Sequence, residues 1–228
     1  TMKMKRLSAS ILNLAFLCSL ICSCDQIKNI ISPEDDSPVV DKEDENRPEP
    51  NPGEFVILFT NDLHSQIEPI SKDDTYNPDR GGVKRIKALV DSVRAAEPVV
   101  LLADAGDLVQ GTYYFSLLNG VVEMMVLDEL GYDIRTLGNH EFDKKMVGLG
   151  DMLAMSKVPV VATNYDFSKT NVASYVQSSK IIQAGTVKVG FIGLNVMLQN
   201  LVDPTACEGV GWQNAINVAD TEAKKLRD

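Results

Sequence analysis

Two nearly uninterrupted apolar runs and a third short apolar segment broken by Asp133, Arg135 and Thr136, each ending in a knot of acidic, imidazole or amide side chains, constrain this chain most. They are Phe55 to Thr60, Val99 to Ala103 and Tyr132 to Leu137. Runs that do not alternate with polar residues are the pattern of strands buried on both faces, as in a parallel sheet covered by helices. The intervening segments change to a helical period. Val83, Ile86, Leu89, Val90 and Val93 share a face between about Val83 and Ala96, and Pro98 punctuates the end. A second helix is expected from about Phe115 to Leu130, with Leu117, Leu118, Val121, Met124, Met125 and Leu127 as its apolar positions and Gly131 as its stop. Strand, helix, strand, helix, strand predicts an α/β domain. Beyond it the pattern predicts a helix over Met146 to Met155 and a fourth strand over Val158 to Ala162. A hairpin of Val176 to Gln183 with Val187 to Leu194 and a last helix from about Gln213 to Arg227 follow. Trp212 and Cys207 read as packing residues, and no internal repeat or second folded domain is visible.

The 228 residues divide unevenly by charge. The net charge is -10, yet ten acids and three bases fall between Asp25 and Glu54, so the acidity belongs to a tail. Residues 25–53 are rich in Pro, Asp, Glu, Ser and Asn, a composition that cannot bury enough surface to offset its ordering entropy; they read as a disordered acidic tether. No basic face suited to duplex nucleic acid is present. Residues 1–24 read as a targeting segment. Lys3, Lys5 and Arg6 precede an apolar run, Leu7 to Ile21, that is short for a membrane span. Ile21-Cys22-Ser23-Cys24 resembles the lipobox of bacterial lipoproteins, with Cys24 as the lipidation site. An ordinary cleaved signal peptide or an uncleaved anchor is the alternative. A lipidated Cys24 would hold the protein at a membrane, in the cell envelope, either periplasmic or surface-exposed. Three of the four cysteines lie in this segment, leaving Cys207 as the lone thiol of the folded part, residues 54–228.

The chemistry sits where the apolar runs stop. In open α/β sheets functional groups gather outside the carboxyl ends of the strands. Here those ends carry Asp62 and His64, then Asp107, then Asn139 and His140 with Glu141 and Asp143 close behind. If the first of these segments stays extended, alternation aims Asp62 and His64 the same way. Gly106 and Gly111 give the Asp107 loop freedom to bend, and Gly138 is expected to allow a sharp turn before Asn139. Both histidines of the chain belong to this set. Carboxylate, imidazole and amide oxygen together are mixed N/O donors that suit Zn, Mn, Fe or a similar divalent ion. Asp107 could bridge two such ions. A pair of ions would acidify a shared water into a bridging hydroxide and clamp an in-line displacement at phosphorus. His140 would then lie beside the phosphate, with Asp143 orienting its ring. The bland alternative is a polar turn beside a strand.

Asp62-x-His64, Gly106-Asp107-x-x-x-Gly111 and Gly138-Asn139-His140-Glu141 resemble the first three motifs of the calcineurin-like metallophosphoesterases. The longer strings Thr60 to His64, Asp104 to Asp107 with Gln110-Gly111-Thr112, and Leu137 to Asp143 resemble the bacterial 5'-nucleotidase branch. The resemblance covers about residues 55 to 228. It implies an α/β fold, a two-sheet β-sandwich flanked by helices, and a metal-dependent hydrolase of nucleotides or other phosphoesters. It also implies two divalent cations: Asp62, His64 and Asp107 as ligands of one, Asp107 and Asn139 of the other, and His140 with Asp143 as the catalytic dyad.

That family completes its metal shell with later histidines, and two-domain members recognise the nucleoside with a C-terminal domain. No histidine follows His140, and neither feature is found in this sequence. Thr1 ahead of Met2 and an end inside a helix at Asp228 lead to the expectation of an excerpt from a longer protein; a natural short form with a broken site is the alternative. Residues 55–228 alone are expected to be nearly inactive. A non-catalytic envelope module that keeps the fold for binding is the rival to the enzyme.

Overall fold

The computed structural model describes Glu49 and residues 53–228. The expected targeting segment with Cys24, and almost all of the expected tether, lie outside the described residues. Five strands form one parallel sheet in the order β1-β2-β3-β4-β6. They are β1 (Val56–Thr60), β2 (Val100–Asp104), β3 (Ile134–Arg135), β4 (Val160–Val161) and β6 (Val176–Gln177). Helix α1 (Val83–Ala96) joins β1 to β2, α2 (Tyr113–Leu118) and α3 (Val121–Leu130) join β2 to β3, and α4 (Lys145–Met155) joins β3 to β4. Two antiparallel ribbons accompany the sheet: β5 (Tyr165–Asp166) with β9 (Gly211–Trp212), and β7 (Ser179–Ala184) with β8 (Val187–Ile192). Helix α5 (Ala215–Arg227) packs on β8, with Leu226 against Gly190. The fold is mixed α/β with a helix-flanked parallel sheet.

The expected helix from Phe115 to Leu130 is two helices. Asn119 and Gly120 both take left-handed backbone angles, φ 52° and 90°, which an α-helix cannot contain. Close approach fixes that break, because a Cβ on Gly120 would lie 2.3 Å from the Met152 sulfur of α4. The expected strand Val176 to Gln183 also divides. Val176 and Gln177 pair in parallel with β4, whereas Ser179 to Ala184 turns at Gly185-Thr186 and pairs with β8. Glu222 of α5 caps this region by accepting from the Ser178 and Ser179 hydroxyls.

The first apolar run is not buried on both faces. It forms the edge strand, and Ile57 and Phe59 are 42% and 71% exposed. The other runs behave as expected: Leu101, Leu102, Ile134 and Leu137 are buried, as are Leu127, Leu130, Leu149 and Met152 of α3 and α4. Burying such side chains contributes about 1.5–3 kcal/mol each, which keeps the strand ends in fixed register. Hydrogen bonds extend that register past the strands. Asp62 N–H donates to Gly106 O, His64 N–H to Asp107 O and Ser65 N–H to Leu108 O, at 2.8–3.0 Å. The first two loops therefore run side by side.

Candidate metal centre

Each candidate side chain stands on a loop just past a strand of the parallel sheet. Asp62, His64 and Ser65 follow β1 with φ of 52°, 47° and 55°. They are not extended, so strand alternation is not what aims Asp62 and His64. A run of non-glycine residues in the left-handed region is costly and persists only where surrounding contacts over-determine it. Here the three backbone bonds to the Asp107 loop supply those contacts. That loop also turns left-handed, at Gly106 (φ 98°), Asp107 (52°), Gln110 (77°) and Gly111 (112°). Glycine is required at 111, where a Cβ would meet the His64 carbonyl oxygen at 2.9 Å.

Gly138 differs from the expectation. Its φ lies outside the left-handed region, so sharp turning is not its purpose. A Cβ there would fall 2.0 Å from Asp107 Oδ1 and 2.5 Å from the Asp107 nitrogen. It is glycine because the second and third loops touch backbone to backbone.

These constraints bring His64, Asp107 and His140 together, each half-buried, with one potential ligand atom apiece within 4.8 Å of the others. The imidazole rings meet edge to face with centroids 5.2 Å apart. Asp62 stands beside this trio: its Oδ1 lies 3.8 Å from His64 Nε2, and Asn61 Nδ2 donates to its other oxygen. Asn139, half-buried, heads the 3-10 turn His140–Phe142, its carbonyl accepting from Phe142 N–H at 3.2 Å. The His140 amide donates to Asp107 Oδ1 at 3.0 Å, and its ring Nδ1 lies 3.0 Å from Asp143 Oδ2.

The donors fit a divalent cation on their own chemistry. Imidazole nitrogen and carboxylate oxygen suit borderline first-row ions. His64 Nδ1 is also buried without a hydrogen-bond partner, a polar nitrogen in a setting where lone pairs are normally satisfied.

Below the loops lies a charged layer, Asp104, Arg135 and Glu141, to which the sequence alone assigns no role. Asp104 is 4% exposed, accepts from Thr60 Oγ1 at 2.8 Å and Gly106 N–H at 3.1 Å, and burial pushes its carboxyl up to about 7. Thr60 Oγ1 also lies 2.8 Å from the Tyr132 hydroxyl, whose pKa burial pushes up to about 12. Glu141 is buried, which raises its pKa against the opposing pull of Arg135; burial in turn lowers that of Arg135. From another direction, Asn195 Nδ2 donates to the Leu137 carbonyl and to Thr136 Oγ1, bracing the end of the third run. Buried polar residues inside apolar stretches were the available signal for Asp104 and Arg135; nothing near Asn195 marked it.

Nitrogen and carboxylate donors converging at the carboxyl ends of a helix-flanked parallel sheet define a metal-binding α/β domain. Comparison with known proteins sharpens that class. The calcineurin-like phosphoesterase pattern matches residues 55–216, and the chain belongs to this family. It is 40% identical over 147 residues to the snake venom 5'-nucleotidase of Gloydius brevicauda, covering 61% of this chain and 25% of that protein. Over 155 residues it is 40% identical to the 5'-nucleotidase of Bos taurus, covering 64% and 27%. The crystal structure of the 5'-nucleotidase precursor from Thermus thermophilus superposes with a TM-score of 0.67 at 31% identity, covering 75% of this chain and 34% of that one. The chain thus spans about a quarter of the length of the curated relatives it matches.

Proposed function

We propose that this chain is the metal- and phosphate-handling part of an envelope-anchored phosphoesterase that hydrolyses nucleotides, as the 5'-nucleotidases it resembles are named for doing. The observation that carries the reading is the convergence of His64, Asp107 and His140, from three separate strand ends, within one cation's reach. Asp62, His64 and Asp107 would hold one divalent ion, and Asp107 with Asn139 a second. Bound ions of this kind supply Lewis acidity to phosphoryl oxygens and lower the pKa of a coordinated water toward neutrality.

The chain's own residues do the rest. Asp143 against Nδ1 fixes the His140 ring and selects the tautomer with its proton on Nδ1, leaving Nε2 to face the phosphate. Once protonated, that ring stabilises charge on the phosphoryl oxygens or passes a proton to the leaving oxygen. The Asp107 carboxylate is held by the His140 amide, so the ligand and the acid–base group move as one unit. Lipidation at Cys24 would place the site at a membrane surface. A non-catalytic binding module is not favoured by relatives that carry nucleotidase names.

Calorimetric titration with Mn2+ tests the ion site: His64→Ala and Asp107→Asn should each weaken binding at least tenfold. In the native protein, release of phosphate from AMP should fall about 10²–10⁴-fold in His140→Asn, the usual range for a lost acid–base group. Retained Mn2+ affinity in both ligand variants, or full turnover in His140→Asn, would overturn the proposal.

A further inference from the structure

Glu141 is 2% exposed, and its carboxylate makes no hydrogen bond to a side chain of the trio. It instead accepts three backbone N–H groups. Oε1 takes Leu108 at 2.9 Å, while Oε2 takes Asp107 at 3.2 Å and Gly138 at 2.6 Å. Two of these amides belong to the loop after β2 and the third to the loop after β3. The loops meet where Gly138 leaves no room for a side chain, so its neighbour three residues on supplies the bridge. The His140 amide adds its own bond to Asp107 Oδ1.

We infer that Glu141 is a positioning residue whose clamp on these three amides sets the spacing of Asp107 from His140, and through it the fit of the divalent cation. This inference rests on the metal-site reading. A carboxylate suits the task because it offers two oxygens and no donor, whereas an amide offers one oxygen and turns an NH2 toward the remaining N–H groups. Glu141→Gln keeps the volume but leaves at least one buried amide facing a donor. Outer partners that orient ligands in this way are worth about 10–100-fold in metal affinity.

The test compares the 228-residue chain with Glu141→Gln and with Val90→Ala, a buried change in α1 that controls for general destabilisation. Mn2+ titration is read alongside backbone amide exchange by NMR. The expected result is a Mn2+ dissociation constant raised about 10–100-fold in Glu141→Gln and unchanged in Val90→Ala. The Asp107, Leu108 and Gly138 amides, protected in the parent, should exchange at least tenfold faster in Glu141→Gln. Unchanged Mn2+ affinity in a folded Glu141→Gln overturns the inference, even if those amides open, since the clamp would then be structural only. If Glu141→Gln does not fold, exchange in the parent decides: protected amides support the clamp, and rates like those of exposed loops overturn it. A parent chain that takes up no Mn2+ refutes the metal-site reading, and amide exchange then judges the clamp separately.

Discussion

Gly138→Ala probes the contact on which the whole site rests. An ideal Cβ at 138 lies 2.0 Å from Asp107 Oδ1, 2.5 Å from its Cγ and 2.5 Å from its backbone nitrogen. Real Cβ contacts stay beyond 3.0 Å, so the carboxylate oxygen must retreat by about 1 Å and the nitrogen by about half that. Rotating the side chain relieves the first clash but not the second. The Asp107 backbone is also pinned, its nitrogen by Glu141 and its carbonyl by the His64 amide, while its Oδ1 holds the His140 amide. Overpacking against a fixed backbone costs about 1–3 kcal/mol. For a domain of this size that lowers Tm by about 2–12 °C. Asp107 would leave its place between His64 and His140, and Mn2+ affinity should fall by at least tenfold. Gly81→Ala supplies the contrast. Gly81 has φ 70° and nothing within 4 Å of a new Cβ, so it should lose stability through backbone strain while binding Mn2+ normally. Thermal unfolding and Mn2+ calorimetry on the three proteins decide the matter. A Gly138→Ala chain with parental Tm and parental affinity would refute the packing argument.

Asp104 predicts a pH dependence of stability. Its carboxyl titrates near 7 when folded and near the ordinary aspartate value of 3.8 when unfolded, so between these values the folded state binds more protons. Stability from this group is therefore fullest below about pH 4, falls as pH rises toward 7, and is level above. The loss is at most on the order of 4 kcal/mol. Urea unfolding from pH 4 to 8 should show a negative slope that flattens in Asp104→Asn, and an unaltered slope in that variant would rule Asp104 out as its source. Asn164 carries a stability prediction. It is fully buried, exchanges two 2.8 Å hydrogen bonds with the Asn195 backbone, and ties the end of β4 to the segment after β8. Asn164→Ala leaves a buried N–H and a buried carbonyl without those partners, at about 1–3 kcal/mol each. A loss below about 1 kcal/mol in urea unfolding would count against this role.

The sequence was a good guide to what depends on burial and a poor one to what depends on contact between loops. Apolar runs and helical periodicity placed β2, α1 and α4 within a residue or two, because one buried face is enough to write such a pattern. Edge position leaves no such mark, so Phe59 reads like Leu102 although only the latter is covered. Spacing along the chain does not reveal why Asp62 and His64 adopt left-handed angles; the cause is a neighbouring loop more than forty residues away in sequence. The two glycines flanking that logic were visible for opposite reasons. Gly111 sits where both its backbone angle and the His64 carbonyl exclude a side chain, whereas Gly138 has an ordinary backbone angle and is required by the close approach of Asp107. Glu141 completes the argument. From sequence it is one more acid beside a histidine, and only the geometry separates it from Asp143: one carboxylate touches an imidazole, the other holds three amides. In the proposed site two acids two residues apart would thus divide the work, because the 3-10 turn at His140–Phe142 leaves Asp143 against the His140 ring and Glu141 under the loops on three backbone amides.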